Sequence, residues 1–346
     1  MPIQKVDYKI AHQLYEQGQS PSEIAKVFNV KCFTIQQGLR RHGYVVQPKY
    51  GLIKIPSAID WAYLAGLFDA EGSVNISHTF IKRKQSHCFA LTLSITNSNE
   101  PIMNWLVEII GGHYYQIQKS VRPIFSWNIS SVQAKQVLEH MSKYLRIKKQ
   151  AADIGIEFQN RKKQCRKLSS QEIEGRFLLR EKLRSTRIPV EKLDIKTLQN
   201  REIQNLPTQL SQDILAYTAG LFDGDGSINI SYYVTKRNSR SFTLSLYIAT
   251  ISPNLIKWLI KTFGIGSIAS IQGANSQVYH WQLSAVQAKD FLILILPYLK
   301  IKNEEAQIGI EFQSRKHQCQ HLSDEELTVR FELKNRLQNL RNWQIQ

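Results

Sequence analysis

Two runs in the first half of the chain alternate apolar and small polar residues with a period of two, Val74-Asn-Ile-Ser and Phe89-Ala-Leu-Thr-Leu-Ser-Ile-Thr. That period predicts half-buried strands with Val74, Ile76, Phe89, Leu91, Leu93 and Ile95 on the core face. A helix from Pro101 to Ile110 is expected next, then strands near Tyr114 to Lys119 and Ile124 to Ser130. The same succession returns later as Ser227 to Thr235, Phe242 to Thr250, Ser267 to Ile271 and Val278 to Ser284. Each half therefore reads α-β-β-α-β-β-α followed by further helix.

The return is a true internal repeat. Glu71 and Asp225 lie 154 positions apart, and the same offset joins Trp127 to Trp281, Ile154-Gly-Ile-Glu-Phe-Gln159 to Ile308-Gly-Ile-Glu-Phe-Gln313, and Phe177 to Phe331. Between them Trp105 meets Trp258 at an offset of 153, so the gaps fall in loops. The fold class predicted is α+β: two pseudo-symmetric repeats with antiparallel sheets, over 58–187 and 212–346, joined by a linker over 188–211.

Residues 1–44 form a separate small all-α module in this reading, followed by a linker over 45–57 containing Pro48, Gly51 and Pro56. Ala11 to Gly18 is a short amphipathic helix closed by glycine, Ser20-Pro21 supplies an N-cap and first-turn proline, and a third helix runs from Cys32 to Arg41. The run from Ser22 to Ile35 resembles a DNA-binding helix-turn-helix, which implies that Phe33, Thr34, Gln36, Gln37, Arg40 and Arg41 face a major groove. A three-helix packing module with a basic face is the competing reading.

Composition narrows the partners. Among 346 residues, 45 Lys and Arg stand against 28 Asp and Glu, a formal charge of +17. Such a surface attracts a polyanion, and nucleic acid is the commonest. No apolar run reaches the roughly 18 to 20 residues of a membrane span, and the N-terminus lacks a secretory layout, so an intracellular protein without a membrane partner is expected. Cys32, Cys88, Cys165 and Cys319 show no paired spacing, which fits free thiols in a reducing compartment. His317, Cys319 and His321 lie close together and could suggest zinc, but their repeat counterparts are Lys163, Cys165 and Lys167, so the histidines are not part of the shared design and zinc is not expected.

The polar faces of the predicted strands carry few charges. In the first repeat they present Ser73, Asn75, Ser77, Thr79, Thr92, Ser94, Gln116, Gln118, Ser126 and Asn128. In the second they present Asn229, Ser231, Tyr233, Thr235, Thr243, Ser245, Tyr247, His280 and Gln282. Short donors and acceptors of this kind suit base edges in a major groove, against the alternative of an ordinary hydrated sheet.

The sharpest signal is a phrase written twice, Leu64-Ala-Gly-Leu-Phe-Asp-Ala-Glu-Gly72 and Thr218-Ala-Gly-Leu-Phe-Asp-Gly-Asp-Gly226. On a helix, Ala62, Ala65, Gly66 and Asp69 form one stripe and Ala216, Ala219, Gly220 and Asp223 another, small enough for two backbones to meet at a pseudo-twofold axis. Gly72 and Gly226 are expected as left-handed C-terminal residues. Glu71 and Asp225 then sit at helix ends where the dipole is already negative, and two such ends brought together call for a divalent cation with oxygen ligands such as Mg²⁺.

The doubled phrase, the small-residue stripes, the repeat order and the basic charge together resemble the LAGLIDADG homing endonucleases in their single-chain, two-motif form. The resemblance covers about residues 58 to 342. It implies a monomeric, site-specific double-strand DNA endonuclease acting on a long pseudo-palindromic or asymmetric target in a bacterial cytoplasm or an organelle. It further implies that Glu71 and Asp225 hold two or more Mg²⁺ at the scissile phosphates, that metal-activated water attacks phosphorus, and that the cuts cross the minor groove and leave short 3′ overhangs. Asp69 and Asp223 are structural in that family pattern. Lys148 and Lys302, from Tyr144-Leu-Arg-Ile-Lys148 and Tyr298-Leu-Lys-Ile-Lys302, take the water-orienting or charge-stabilising role, and Asn97 and Thr250 fall where relatives often have Gln. Glu71 stands for the commoner aspartate and Thr218 for an opening leucine, which allows the two cuts unequal rates. An intron RNA maturase and a cleavage-inactive transcriptional regulator on the same scaffold are the rival readings.

Overall fold

The computed structural model describes residues 6–16, 19, 21–42, 56–117, 123–161, 168–187, 193–195, 206–207, 209–234, 240–273, 277–315 and 322–342. It divides into two compact units, Met1–Gly51 and Leu52–Gln346. None of the described helices is long and apolar enough to cross a membrane.

The small unit holds α1 (Tyr8–Glu16), α2 (Pro21–Val27) and α3 (Cys32–Arg41). Ala11, Ile24, Ala25, Ile35 and Leu39 form its core, with Tyr8, Leu14, Phe28 and Val30 packed around them. The turn from α2 to α3 passes through Asn29 with φ of 49°, a conformation asparagine tolerates. Gly38 is required where α3 meets α1, because a Cβ there would lie 1.8 Å from the Tyr8 ring.

In the large unit the first repeat runs α4 (Ala58–Glu71), β1 (Gly72–Ile81), β2 (Ser86–Asn97), α5 (Glu100–Ile109), β3 (His113–Gln116), β4 (Phe125–Ser130), α6 (Ser131–Met141), α7 (Lys149–Asn160) and α8 (Ser170–Ser185). The second runs α9 (Gln212–Asp225), β5 (Gly226–Val234), β6 (Arg240–Thr250), α10 (Pro253–Phe263), β7 (Ser267–Gln272), β8 (Gln277–Ser284), α11 (Ala285–Ile295), α12 (Asn303–Ser314) and α13 (Asp324–Asn342). The two sheets are antiparallel, in the orders β1-β2-β4-β3 and β5-β6-β8-β7. The α+β, two-repeat reading therefore holds, with each strand within a few residues of its expected place.

One face of each sheet is apolar and lies against helices in a continuous core that includes both copies of the repeat. Trp127 and Trp281 are fully buried at equivalent positions, and each indole N–H donates to a loop carbonyl, Gly111 O at 2.8 Å and Ile265 O at 3.0 Å. Such a partner spares the buried indole N–H the cost of an unmade hydrogen bond. The edge strand β1 is covered in part by α8, whose Arg180 Nε donates to Ile76 O at 3.1 Å. Occupying carbonyls at a sheet edge in this way guards against unwanted strand pairing.

α4 and α9 pack on each other at the centre, and every residue from Trp61 to Asp69 and from Leu215 to Asp223 is buried. A helix buried on all sides has no polar stripe, which is why its sequence shows small residues rather than amphipathic spacing. A Cβ on Gly66 would lie 1.9 Å from Tyr217 O, and one on Gly220 would lie 2.0 Å from Tyr63 O. The stripes therefore do bring backbone against backbone.

The two motif-closing glycines differ from expectation. Gly72 has φ −83° and ψ 158°, and Gly226 has φ −78° and ψ 153°, both extended rather than left-handed. The chain passes from helix straight into strand, and the absent side chain matters for space: a Cβ would lie 2.2 Å from the Phe68 ring at Gly72 and 2.4 Å from the Phe222 ring at Gly226.

Candidate active site

The acids come from the ends of the paired helices. Glu71 and Asp225 are the last residues of α4 and α9, and the crossing of those helices sets them beside each other. Gly224 belongs to this contact, since a Cβ on it would meet Ala70 Cβ at 2.3 Å and Glu71 Cγ at 3.2 Å. Burial raises the Glu71 carboxyl above its ordinary range, with Lys302 and Lys148 opposing. Burial also raises Asp225, Glu71 adds to the rise, and the result is a pKa of about 6. Two partly desolvated carboxyls, both raised by burial and one raised further by the other, form a site that favours cation binding.

The other acid of each motif holds a loop. Asp69 Oδ2 accepts from the amides of Arg146 (2.7 Å) and Ile147 (3.1 Å), and Oδ1 accepts from the Lys148 amide (2.8 Å). Asp223 does the same for Lys300 (2.8 Å), Ile301 (3.0 Å) and Lys302 (2.8 Å). Each acid also receives a hydroxyl from the opposite repeat: Tyr217 reaches Asp69 at 2.8 Å and Tyr63 reaches Asp223 at 2.7 Å. Sequence reading put these aspartates at the interface but missed both the tyrosines and the loops. The available signal was Tyr63 and Tyr217 at the repeat offset inside otherwise apolar helices.

Those loops deliver the lysines. Lys148 Nζ donates to the carbonyls of Phe68 (2.8 Å), Asp69 (2.6 Å) and Ala70 (3.3 Å). Lys302 Nζ donates likewise to Phe222 (3.0 Å), Asp223 and Gly224 (3.4 Å). Each ammonium closes a helix C-terminus, where unpaired carbonyls and the dipole attract a cation. Three carbonyls surround each ammonium, and each lysine lowers the neighbouring acids against their rise, an arrangement that bears on the charge-stabilising half of the expected role. Burial lowers both lysines, while the surrounding acids hold them up.

Asn97 and Thr250 occupy the ends of β2 and β6 on the apolar side of the strand alternation. Asn97 Oδ1 accepts from the Asn99 amide at 2.9 Å and Thr250 Oγ1 from the Ser252 amide at 3.1 Å. Both close the turn into the next helix, and Thr250 is buried. Thr250 nevertheless lines a cavity of about 810 Å³ together with Asp225, Lys148, Asp69 and Ser73, so this half of the site is an open volume reaching the first strand.

Register aligns the polar face into rows across the strands. Ser73 pairs with Ser94, Ser94 with Asn128 and Asn128 with His113; in the second sheet Ser227, Tyr247, Gln282 and Ser267 form the equivalent row. Ser73, Asn75, Thr79, Gln116, Asn229 and Tyr233 are exposed, and Ser77, Thr92, Ser94, Asn128, Ser231, Thr243, Tyr247, His280 and Gln282 are half-buried. Ser126 and Ser245, expected on the accessible face, are instead only 7% and 5% exposed, because each sits on a central strand flanked on both sides. The Asn128 amide donates to Ser126 Oγ at 3.1 Å. His113, exposed on the short strand β3, and Ser227 belong to the rows and were not singled out from sequence. Gln118, Thr235, His317, Cys319 and His321 lie outside the described residues.

On α3, Arg41 at the last position is exposed. Thr34 and Gln37 are exposed as expected. The side chains of Phe33, Gln36 and Arg40 lie outside the described residues.

Residues 64–156 match the family model of the LAGLIDADG endonuclease. No curated protein sequence matches the chain. Among solved structures, the chain is similar to the I-SmaMI LAGLIDADG homing endonuclease bound to cleaved DNA, with a TM-score of 0.61 and 18% identity over 83% of this chain and 98% of that one. It is also similar to the LAGLIDADG homing endonuclease I-GzeII in complex with its DNA target (TM-score 0.58, 16% identity, 80% and 97% covered) and to the I-LtrWI enzyme bound to target DNA (0.57, 13%, 81% and 97%). The chain thus carries the LAGLIDADG endonuclease pattern across its first repeat and, through both repeats, the fold of the LAGLIDADG homing endonucleases.

Proposed function

We propose that this chain is a site-specific, divalent-metal-dependent DNA endonuclease that cuts both strands of a long duplex target across the minor groove, leaving short 3′ overhangs. The observation that carries the reading is the pair Glu71 and Asp225, raised by burial at abutting helix ends and backed by one lysine each. Two polar sheet faces begin within two residues of those acids, at Ser73 and Ser227. An acid pair in that place has no use in a protein that only binds DNA, where it would repel phosphate.

The donor set fits Mg²⁺. No group of three or more His, Cys, Asp or Glu gathers among the described residues, so the site offers a pair of carboxylates, and Mg²⁺ is commonly held by one or two carboxylates with water and phosphate oxygens completing its shell. When bound, such an ion lowers the pKa of water and stabilises charge on the phosphoryl oxygens. The chain's own residues supply the rest. Glu71 and Asp225 hold the cation, Lys148 and Lys302 keep those carboxylates ionised, and the rows on the sheets fix the duplex in register. Asn97 and Thr250 set the turns flanking the site.

The charge of +17 supplies affinity that does not depend on sequence. The three-helix unit adds contacts through Thr34, Gln37 and Arg41 on α3, in the manner of a helix-turn-helix. The pseudo-symmetry within one chain matches a monomer acting on a double-stranded site whose halves are similar and not identical.

The test is incubation of the full chain with a randomised duplex library and Mg²⁺, followed by sequencing of the ends. Recurrent cut ends that vanish with EDTA, and with Glu71→Gln or Asp225→Asn, are the expected result. Specific binding to duplex with no cutting in Mg²⁺ or Mn²⁺ would overturn the nuclease in favour of a regulator, and selective binding of structured RNA over duplex would favour a maturase.

A further inference from the structure

Among the described residues, the cations lining the cavity that contains Asp225 are Lys148 and Arg187. They are not equivalent. Lys148 has its three N–H donors committed to the carbonyls at the end of α4. Arg187 follows the last turn of α8 and is exposed, and among the described residues its side chain makes one long hydrogen bond, from Nη2 to Val74 O at 3.4 Å. A guanidinium carries five N–H donors in a planar fork that matches two phosphate oxygens. Most of that capacity is left for a ligand in the volume shared with Asp225.

A phosphodiester carries one negative charge and develops a second as water adds to phosphorus, so the phosphate that is cut calls for a cationic donor beside the carboxylate pair. Lys148 cannot serve without releasing the helix end it closes. The start of α10, at Ser252, Pro253 and Asn254, also lines the cavity and carries no charged side chain. Arg187 is therefore the group with both the charge and the free donors. The repeat supports this independently: at the offset of 154 its counterpart is Arg341, again arginine and again at the end of the last helix of its repeat.

We propose that Arg187 clamps the phosphate cut, or its immediate neighbour, on the strand served by the Asp225 half of the site, and that it acts on that strand alone. This rests on the nuclease reading. Its second role, a weak bond to β1, has a built-in control, since Arg180 makes a shorter bond to the same strand and does not line the cavity.

The experiment is strand-resolved, single-turnover cleavage of a supercoiled plasmid bearing the selected target, with duplex affinity and thermal melting measured in parallel. Arg187→Gln is expected to slow one strand by about 100-fold, the size seen when one charge-stabilising donor is removed, so that nicked plasmid accumulates. Affinity should change less than about 5-fold, and Arg187→Lys should restore part of the rate. Arg180→Gln should cut both strands at wild-type rates. Equal slowing of both strands, a rate loss matched by the affinity loss, or the same nicking from Arg180→Gln would each overturn the clamp while leaving the nuclease intact. A wild-type chain that binds and never cuts overturns the nuclease reading and this inference with it.

Discussion

Tyr217 in the second repeat donates its hydroxyl to Asp69 in the first at 2.8 Å, and Asp69 in turn holds the amides of Arg146, Ile147 and Lys148. The contact between repeats and the placement of the lysine are thus one structure. Burial and the neighbouring carboxylate push the Tyr217 phenol well above its ordinary range, so it remains a donor at any working pH. The cation side reinforces the link: the Arg146 guanidinium lies 3.9 Å over the Trp258 ring, and Lys300 Nζ lies 4.6 Å over Trp105.

Tyr217→Phe should cost about 1.5–3 kcal/mol, as for a hydrogen bond to a charged group. Urea denaturation measures this. Gly66→Ala should cost more, because its Cβ overlaps the Tyr217 carbonyl and the helices must separate. If the alanine variant were as stable as the parent, the close approach of α4 and α9 would be wrong.

Replacing Glu71 by Gln, or Asp225 by Asn, should abolish double-strand cutting and leave specific binding in place, since the sheet rows are untouched. Gel-shift and cleavage assays on one target separate the two. Undiminished cutting by either variant removes that acid from the site.

The acid pair also predicts a pH dependence of stability in metal-free protein. The Asp225 pKa of about 6 lies above its ordinary 3.8, so the folded chain binds this proton more tightly than the unfolded one. The fold therefore carries the full penalty above about pH 6 and is relieved of it as pH falls through 6 toward 3.8. The displacement corresponds to at most ~3 kcal/mol. In EDTA, Asp225→Asn should melt higher than the parent at about pH 8, with the gap narrowing by about pH 5. A gap independent of pH would mean that Asp225 is not raised.

Lys148→Met and Lys302→Met should slow cleavage while sparing duplex binding. Each should also lower the melting temperature, because three carbonyls at a helix end lose their partner. Slowed cutting with unchanged melting would return the lysines to a purely chemical role.

Removing residues 1–44 should weaken duplex affinity and flatten its salt dependence, the log–log slope falling by about 0.9 for each phosphate that the unit neutralises. The cut position should stay where it is, since acids and sheets remain. A shifted cut would make the three-helix unit a determinant of the site, and an unchanged slope would make it a packing element.

Much of this was legible because strand alternation and the 154-residue offset are direct traces of burial. Ser73, Asn75 and Asn229 are exposed as alternation requires, and the glycines at 66 and 220 face backbone as the stripe requires. What failed did so for local reasons. Alternation gives the face but not the cover, so it predicts Ser126 and Ser245 as accessible where the structure buries them. Residues that end strands, such as Asn97 and Thr250, serve the turn that follows, and no period announces that. Partners separated by 77 to 160 residues, among them Asp69 with Arg146 and Tyr63 with Asp223, leave no trace in local spacing.

The crossing of α4 and α9 is made by peptide groups, with no side chain between Gly66 and Tyr217 O or between Gly220 and Tyr63 O. Side chains can change rotamer to absorb substitutions nearby; main chain in contact with main chain cannot. The separation of the two carboxylates is consequently a ruler cut into the backbone. On the proposed endonuclease reading, substitutions on the sheets would redirect the chain to new duplex sequences while the stagger between the two breaks stays the same.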